Sequence, residues 1–117
     1  MLVLMRSPKF TATEAEIQEA VFTVWRKQYE QLRALALSLD SKWAELSPLL
    51  LNKSKLTLKE ISKLDRDSKV LSGQMKSYCE SAQKLLRQPG PEDVIVLLNG
   101  KRNEYVRKMR NVFGIRV

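Results

Sequence analysis

Two stretches of equal length decide the fold: Phe22–Leu46, FTVWRKQYEQLRALALSLDSKWAEL, and Ile61–Leu85, ISKLDRDSKVLSGQMKSYCESAQKL. With Phe22 as position a of a heptad, the a positions are Phe22, Tyr29, Ala36 and Trp43, and the d positions are Trp25, Leu32, Leu39 and Leu46. The second stretch repeats the pattern with a at Ile61, Ser68, Met75 and Ala82 and d at Leu64, Leu71, Tyr78 and Leu85, so only Ser68 is polar. A sustained apolar a/d repeat belongs to helices that bury one stripe against each other. The short connection between the two predicts an antiparallel pair. The predicted layers then run from Leu46 facing Ile61, through Leu39 facing Ser68 and Leu32 facing Met75, to Trp25 facing Ala82 and Phe22 facing Leu85. Large side chains meet small ones, as close packing requires.

Local signals set the expected boundaries. Thr13-Glu14-Ala15-Glu16 and Thr57-Leu58-Lys59-Glu60 both have the spacing of a capping box, in which threonine and glutamate satisfy each other's helix-start N–H groups. Helix one is expected over 13–47, because Pro48 should end it. Leu49, Leu50 and Leu51 would then plug the end of the hairpin. Helix two is expected over 58–88, with Gly73 facing outward. Pro89-Gly90-Pro91 stops it and presets a third helix over 91–113, with Gly90 as N-cap, Pro91 at the first position and acidic residues in the first turn. Val94–Leu98 followed by Asn99-Gly100 also has the look of a hairpin, but no partner strand follows. A helix is therefore expected, kinked or briefly interrupted at Gly100, burying Ile95, Leu98, Tyr105, Met109 and Val112. The tail 114–117 should lie outside, and residues 1–10 form an N-terminal arm whose Phe10 could staple the first helix. The fold class is all-α, a coiled-coil-like hairpin completed to a three-helix bundle as one domain over 1–117.

Composition narrows the chemistry. The 117 residues include no histidine and one cysteine, so histidine-dependent triads and the usual zinc sites are not available from this chain. No enzyme activity, catalytic residue, metal or cofactor is expected. Met1–Met5 are too few apolar residues for a signal-peptide core, no apolar run approaches the length of a membrane span, and lone Cys79 suits a reducing compartment. Cytoplasm or nucleus is the expected location.

Charge is uneven. The net is +8 for the chain, made of −2 over 11–52, +5 over 53–90 and +3 over 91–117, with Arg6 and Lys9 supplying the rest. On helix two Lys59, Lys63, Arg66, Lys69 and Lys76, with Lys84 and Arg87, occupy outward heptad positions. Helix three adds Lys101, Arg102, Arg107, Lys108 and Arg110. Such a face is a solvated helix surface at minimum and otherwise a track for an acidic partner or a phosphate backbone. Apolar residues beside the seam, Val21 and Leu35 on helix one and Cys79 and Leu86 on helix two, widen opposite edges of the hairpin. A third helix can cover one edge only, leaving the other to meet another helical protein or a second copy.

The run Lys101–Met109, KRNEYVRKM, resembles the last helix of BAG domains, three-helix cochaperone modules that bind the ATPase domain of seventy-kilodalton heat-shock chaperones, and the likeness extends to Lys63-Leu64-Asp65-Arg66 in helix two. The resemblance implies a chaperone-contacting role for Arg102. It departs where that family has acidic contact residues, which fall here near Ser72 or Gly73 and Ala82 or Gln83. Three functions are therefore expected in order: a protein-binding adaptor or complex subunit, a nucleic-acid-associated module, and a cochaperone, secretion-chaperone or membrane-surface role through helix three.

Overall fold

The computed structural model describes residues 13–116. The N-terminal arm over 1–10 and the staple by Phe10 fall outside that range. Three helices account for nearly all of the described chain: α1 (Glu14–Leu51), α2 (Leu58–Leu86) and α3 (Glu92–Asn111), with a single 3-10 turn at Lys53–Lys55 between the first two. No strand occurs among the described residues.

Both capping boxes form. The Thr13 hydroxyl accepts the Glu16 N–H at 3.2 Å and Glu16 accepts the Thr13 N–H at 3.1 Å; Thr57 and Glu60 repeat this at 3.2 and 2.9 Å. The stop at Pro48 does not occur: α1 runs four residues further, with Pro48 inside it. Asn52 closes the extended end, its side-chain amide donating to the Pro48 carbonyl at 3.1 Å and its backbone N–H donating to the Leu49 carbonyl at 3.2 Å. The orphaned carbonyls of the last turn are thereby satisfied. Of the three leucines there, Leu50 packs on the core together with Leu56, while Leu49 and Leu51 stay exposed.

The seam is buried as the heptads require. Every d position of both helices is buried, and Ala36, Met75 and Ala82 join them from the a positions. Phe22, Tyr29 and Trp43 are half-buried. Trp25, only 1% exposed, reaches past Ala82, and its indole N–H donates to the Leu85 carbonyl at 3.0 Å. Ser68, the polar intruder, has a buried hydroxyl oxygen without a hydrogen-bond partner among the described residues.

The turn into α3 departs from expectation in an instructive way. Pro91, not Gly90, is the N-cap, and α2 stops at Leu86. Gly90 instead lies flat on Trp25: a Cβ placed there would sit 2.5–2.7 Å from three indole atoms. Its missing side chain is the reason the chain can cross the ring. α3 then passes through Asn99-Gly100 without interruption, because Leu98 and Tyr105 on either side are fully buried and Gly100 faces solvent.

Contacts in chain order set the direction of α3. Gly90 meets Trp25, Tyr105 meets Ala36 and Asp40, and Phe113 meets Trp43 edge-on at 6.1 Å. α3 therefore runs parallel to α1 and antiparallel to α2. Val112 is exposed, and the tail does not leave the body: Gly114 at φ +65° turns the chain so that the Ile115 N–H reaches the Met109 carbonyl at 2.9 Å. Phe113 and Ile115 both pack on the core. α2 is the central helix; the α1 and α3 backbones stand further apart and are bridged by long side chains.

Two glycines test this packing. Gly90→Ala should lower unfolding free energy by about 1–3 kcal/mol through overpacking against Trp25, whereas Gly100→Ala, with nothing within 4 Å of the new methyl, should raise it by about 0.5–1 kcal/mol. Urea midpoints read both, and equal effects at the two positions would refute the close approach. Ser68→Ala should be neutral or stabilising by roughly 1 kcal/mol, since the hydroxyl it removes is buried without a partner.

Candidate functional site

α3 takes the Cys79–Leu86 edge of the hairpin. Cys79 is 5% exposed, its thiol pointing at the Arg102 carbonyl at 3.7 Å, and Leu86 is half-buried against the core. Burial pushes that thiol pKa up, opposed by nearby Arg102 and assisted by Glu80. Cys79 therefore serves the chain's own third helix, and neither residue is an outward edge. Val21, 42% exposed, and half-buried Leu35 lie on the edge that α3 leaves open. There Leu32, Leu35 and Leu85 line a shallow groove with Gln28, Gln31, Ser81, Lys84 and Gln88.

The docking of α3 also redistributes the cations. Lys108 is only 21% exposed, bonds Glu104 at 2.9 Å and lies 4.8 Å from the centre of the Trp43 ring. It bridges α3 to α1 and is lost to any outward basic track. Lys101 bonds Asp40 at 2.9 Å and contacts Glu104 at 3.4 Å. Tyr105, fully buried, donates one hydroxyl proton shared between Asp40 Oδ1 at 2.7 Å and the Ala36 carbonyl at 3.0 Å. Burial, then the bond to Asp40, pushes the Tyr105 phenol far above its ordinary range; burial does the same to Tyr78, which meets Tyr105 edge-on at 5.0 Å. Burial also pulls the Asp40 carboxyl upward, but hydrogen bonds from Lys101 and Tyr105 outweigh it and hold Asp40 below the usual carboxylate value. For Lys101 burial acts downward, and the bond to Asp40 with the field of Glu104 reverses it.

On α2, Lys59, Lys63, Arg66, Lys69 and Lys76 are all exposed. They do not form an uninterrupted track: Lys69 pairs with Asp65 at 3.4 Å, and Lys63 shares a cleft with Glu45, Glu60 and Asp67. Cations converge elsewhere. Lys84 in the last turn of α2, Arg87 just past its end, and Arg102 and Arg110 from α3 line one groove of about 750 Å³, with Cys79 and Val106 also on its walls. Glu80 is the single carboxylate among the lining residues, beside Gln83 and Asn103. The Arg102 guanidinium donates to Asn103 at 3.0 Å, which holds it along the groove. Arg107 is exposed outside this lining.

The sequence named Arg102 and Arg110 but not their convergence with the last turn of α2, since no linear pattern reports which helices will be neighbours. Ser72 and Ala82 are buried, and neither they nor Gly73 and Gln83 carry the carboxylate that the BAG resemblance would require. No group of three or more metal-ligating side chains occurs among the described residues, and no described helix is long and apolar enough to cross a membrane. No protein-family model, curated protein or solved structure matches the chain.

The Tyr105–Asp40–Lys101 bridge has a pH signature. Because the folded Asp40 pKa is depressed, its stabilisation is present above the unfolded value of about 3.9 and is lost as pH falls through the folded value. Tyr105→Phe should cost about 1 kcal/mol at neutral pH, and the stability gap between wild type and Asp40→Asn should narrow as pH falls below about 4. Urea titrations from pH 7 to pH 2 check this; a gap independent of pH would remove Asp40 from the bridge.

Proposed function

We propose that the chain is a helical protein-binding module without chemistry of its own, an adaptor or complex subunit that seats an acidic segment of another protein in the α2–α3 groove. The single observation that carries this reading is the convergence of Lys84, Arg87, Arg102 and Arg110 on one groove whose lining holds one carboxylate. No described carboxylate lies within ion-pair distance of Lys84, Arg87 or Arg102. Lys84, Arg87 and Arg102, with Arg110 beside them and half-buried Val106 between the helices, match an amphipathic acidic helix, whose apolar face lies on Val106 while its carboxylates reach the rims.

A nucleic-acid reading has the same cations behind it, but two features favour protein. Base stacking needs exposed aromatic faces, and Trp25, Tyr78 and Tyr105 are buried while Trp43 is covered by Lys108 and Phe113. Backbone tracking needs a long uninterrupted cationic line, and the outer face of α2 is broken by its own carboxylates.

Fluorescence anisotropy distinguishes the two. A glutamate-rich amphipathic helical peptide should bind, and charge reversal at Lys84 and Arg102 together should weaken it at least about tenfold, the scale of a few lost charge contacts. Tighter binding of single-stranded RNA or duplex DNA than of the peptide, with a steep salt dependence, would replace the protein reading by the nucleic-acid one.

A further inference from the structure

The first turns of α1 outrun the rest of the bundle. α2 stops at Leu86, one residue past the carbonyl that Trp25 bonds, α3 starts at Glu92, two residues past the glycine on the Trp25 ring, and residues 13–21 are all exposed. On this projecting segment Ile17, Val21 and Val24 are 55%, 42% and 56% exposed. Spacings of four and three place them on one side of the helix. The stripe continues through Gln28 and Gln31 to Leu35, the open edge of the hairpin.

We propose that this segment pairs with the same segment of a second copy, in reversed direction, about a two-fold axis between Ala20 and Val21. Two features select a second copy as occupant. The stripe reads nearly the same in both directions: reversed about that axis, Ile17 meets Val24, Val24 meets Ile17 and the two Val21 side chains flank the axis, as an isologous contact requires. Its charges are polarised: Glu14 and Glu16 precede the stripe and Lys27 follows it, all exposed. Reversal therefore brings Glu16 beside Lys27 of the second copy, whereas a parallel pairing would set like charges together.

Three apolar side chains per copy bury far less than the roughly 800 Å² per partner of a durable interface, so the pairing is weak and concentration-dependent. It is independent of the groove on α2 and α3. Sedimentation equilibrium of the full chain from about 10 to about 500 μM should show the mass rising toward two chains, and Val21→Glu should weaken association at least about tenfold. Circular dichroism confirms that the exposed substitution leaves the fold intact. Under mild oxidation Val21→Cys should link to itself, while Ile17→Cys should link to Val24→Cys in a mixture in preference to itself. Wild type, whose Cys79 is buried, is the control. A single-chain mass at every concentration would overturn the proposal, with residues 1–12 or another occupant then covering the stripe. So would association that survives Val21→Glu or is abolished instead by charge reversal at Arg102, and so would Ile17→Cys linking to itself.

Discussion

The bundle turns on one side chain, the indole of Trp25. It is the first large buried group of α1, it donates to the Leu85 carbonyl at the end of α2, and Gly90 crosses its face on the way to α3. A single ring thus joins the end of the hairpin to the start of the third helix. An indole N–H buried without a partner would cost more than its bond contributes, and the last turn of a helix has carbonyls in need of donors. The two needs cancel at Leu85. Tyr29 stacks on the same indole at 5.9 Å and extends the aromatic layer along α1.

From that anchor the helices diverge in how they are held. α2 packs closely on both neighbours through a/d residues and its Ser72–Cys79 side, while α1 and α3 are joined across a wider gap. Tyr105, Lys101, Lys108 and Phe113 span it, ending on Asp40, the Ala36 carbonyl and Trp43. Charge-assisted bonds to half-buried carboxylates have fixed geometry, so they set the height of α3 along α1 more sharply than apolar contact alone. The same docking withdraws Lys101 and Lys108 from the surface and turns Arg102 toward the last turns of α2. The cationic groove is therefore a by-product of how the third helix is seated, and the outward lysines of α2 are left as an ordinary solvated face.

The all-α class, the three helices, the two capping boxes and the buried heptad positions were legible because each is set by near neighbours: a threonine three residues before a glutamate, an apolar residue every third and fourth place. The exceptions have longer-range causes. α1 runs past Pro48 to an end capped by Asn52, whose side chain satisfies the Pro48 carbonyl. Gly100 stays within α3 because Leu98 and Tyr105 are buried on either side of it. Gly90 was legible as a turn residue, but its contact with Trp25 spans the whole hairpin. Among the binding residues, Val21 and Leu35 could be placed on an edge from periodicity, yet which edge α3 would choose could not.

What the sequence determined by itself was periodicity: which side of each helix is apolar, where each helix begins, and that two of them must fold back on each other to hide those sides. Only the tertiary structure decided the side on which α3 docks, and with it the fate of Cys79, Lys108 and Arg102. The physical reason is that both edges of the hairpin carry apolar residues of similar size, so burial alone does not distinguish them. Asp40 and the Ala36 carbonyl on one edge give Tyr105 and Lys101 partners there, and those bonds, formed between residues more than sixty positions apart, break the tie.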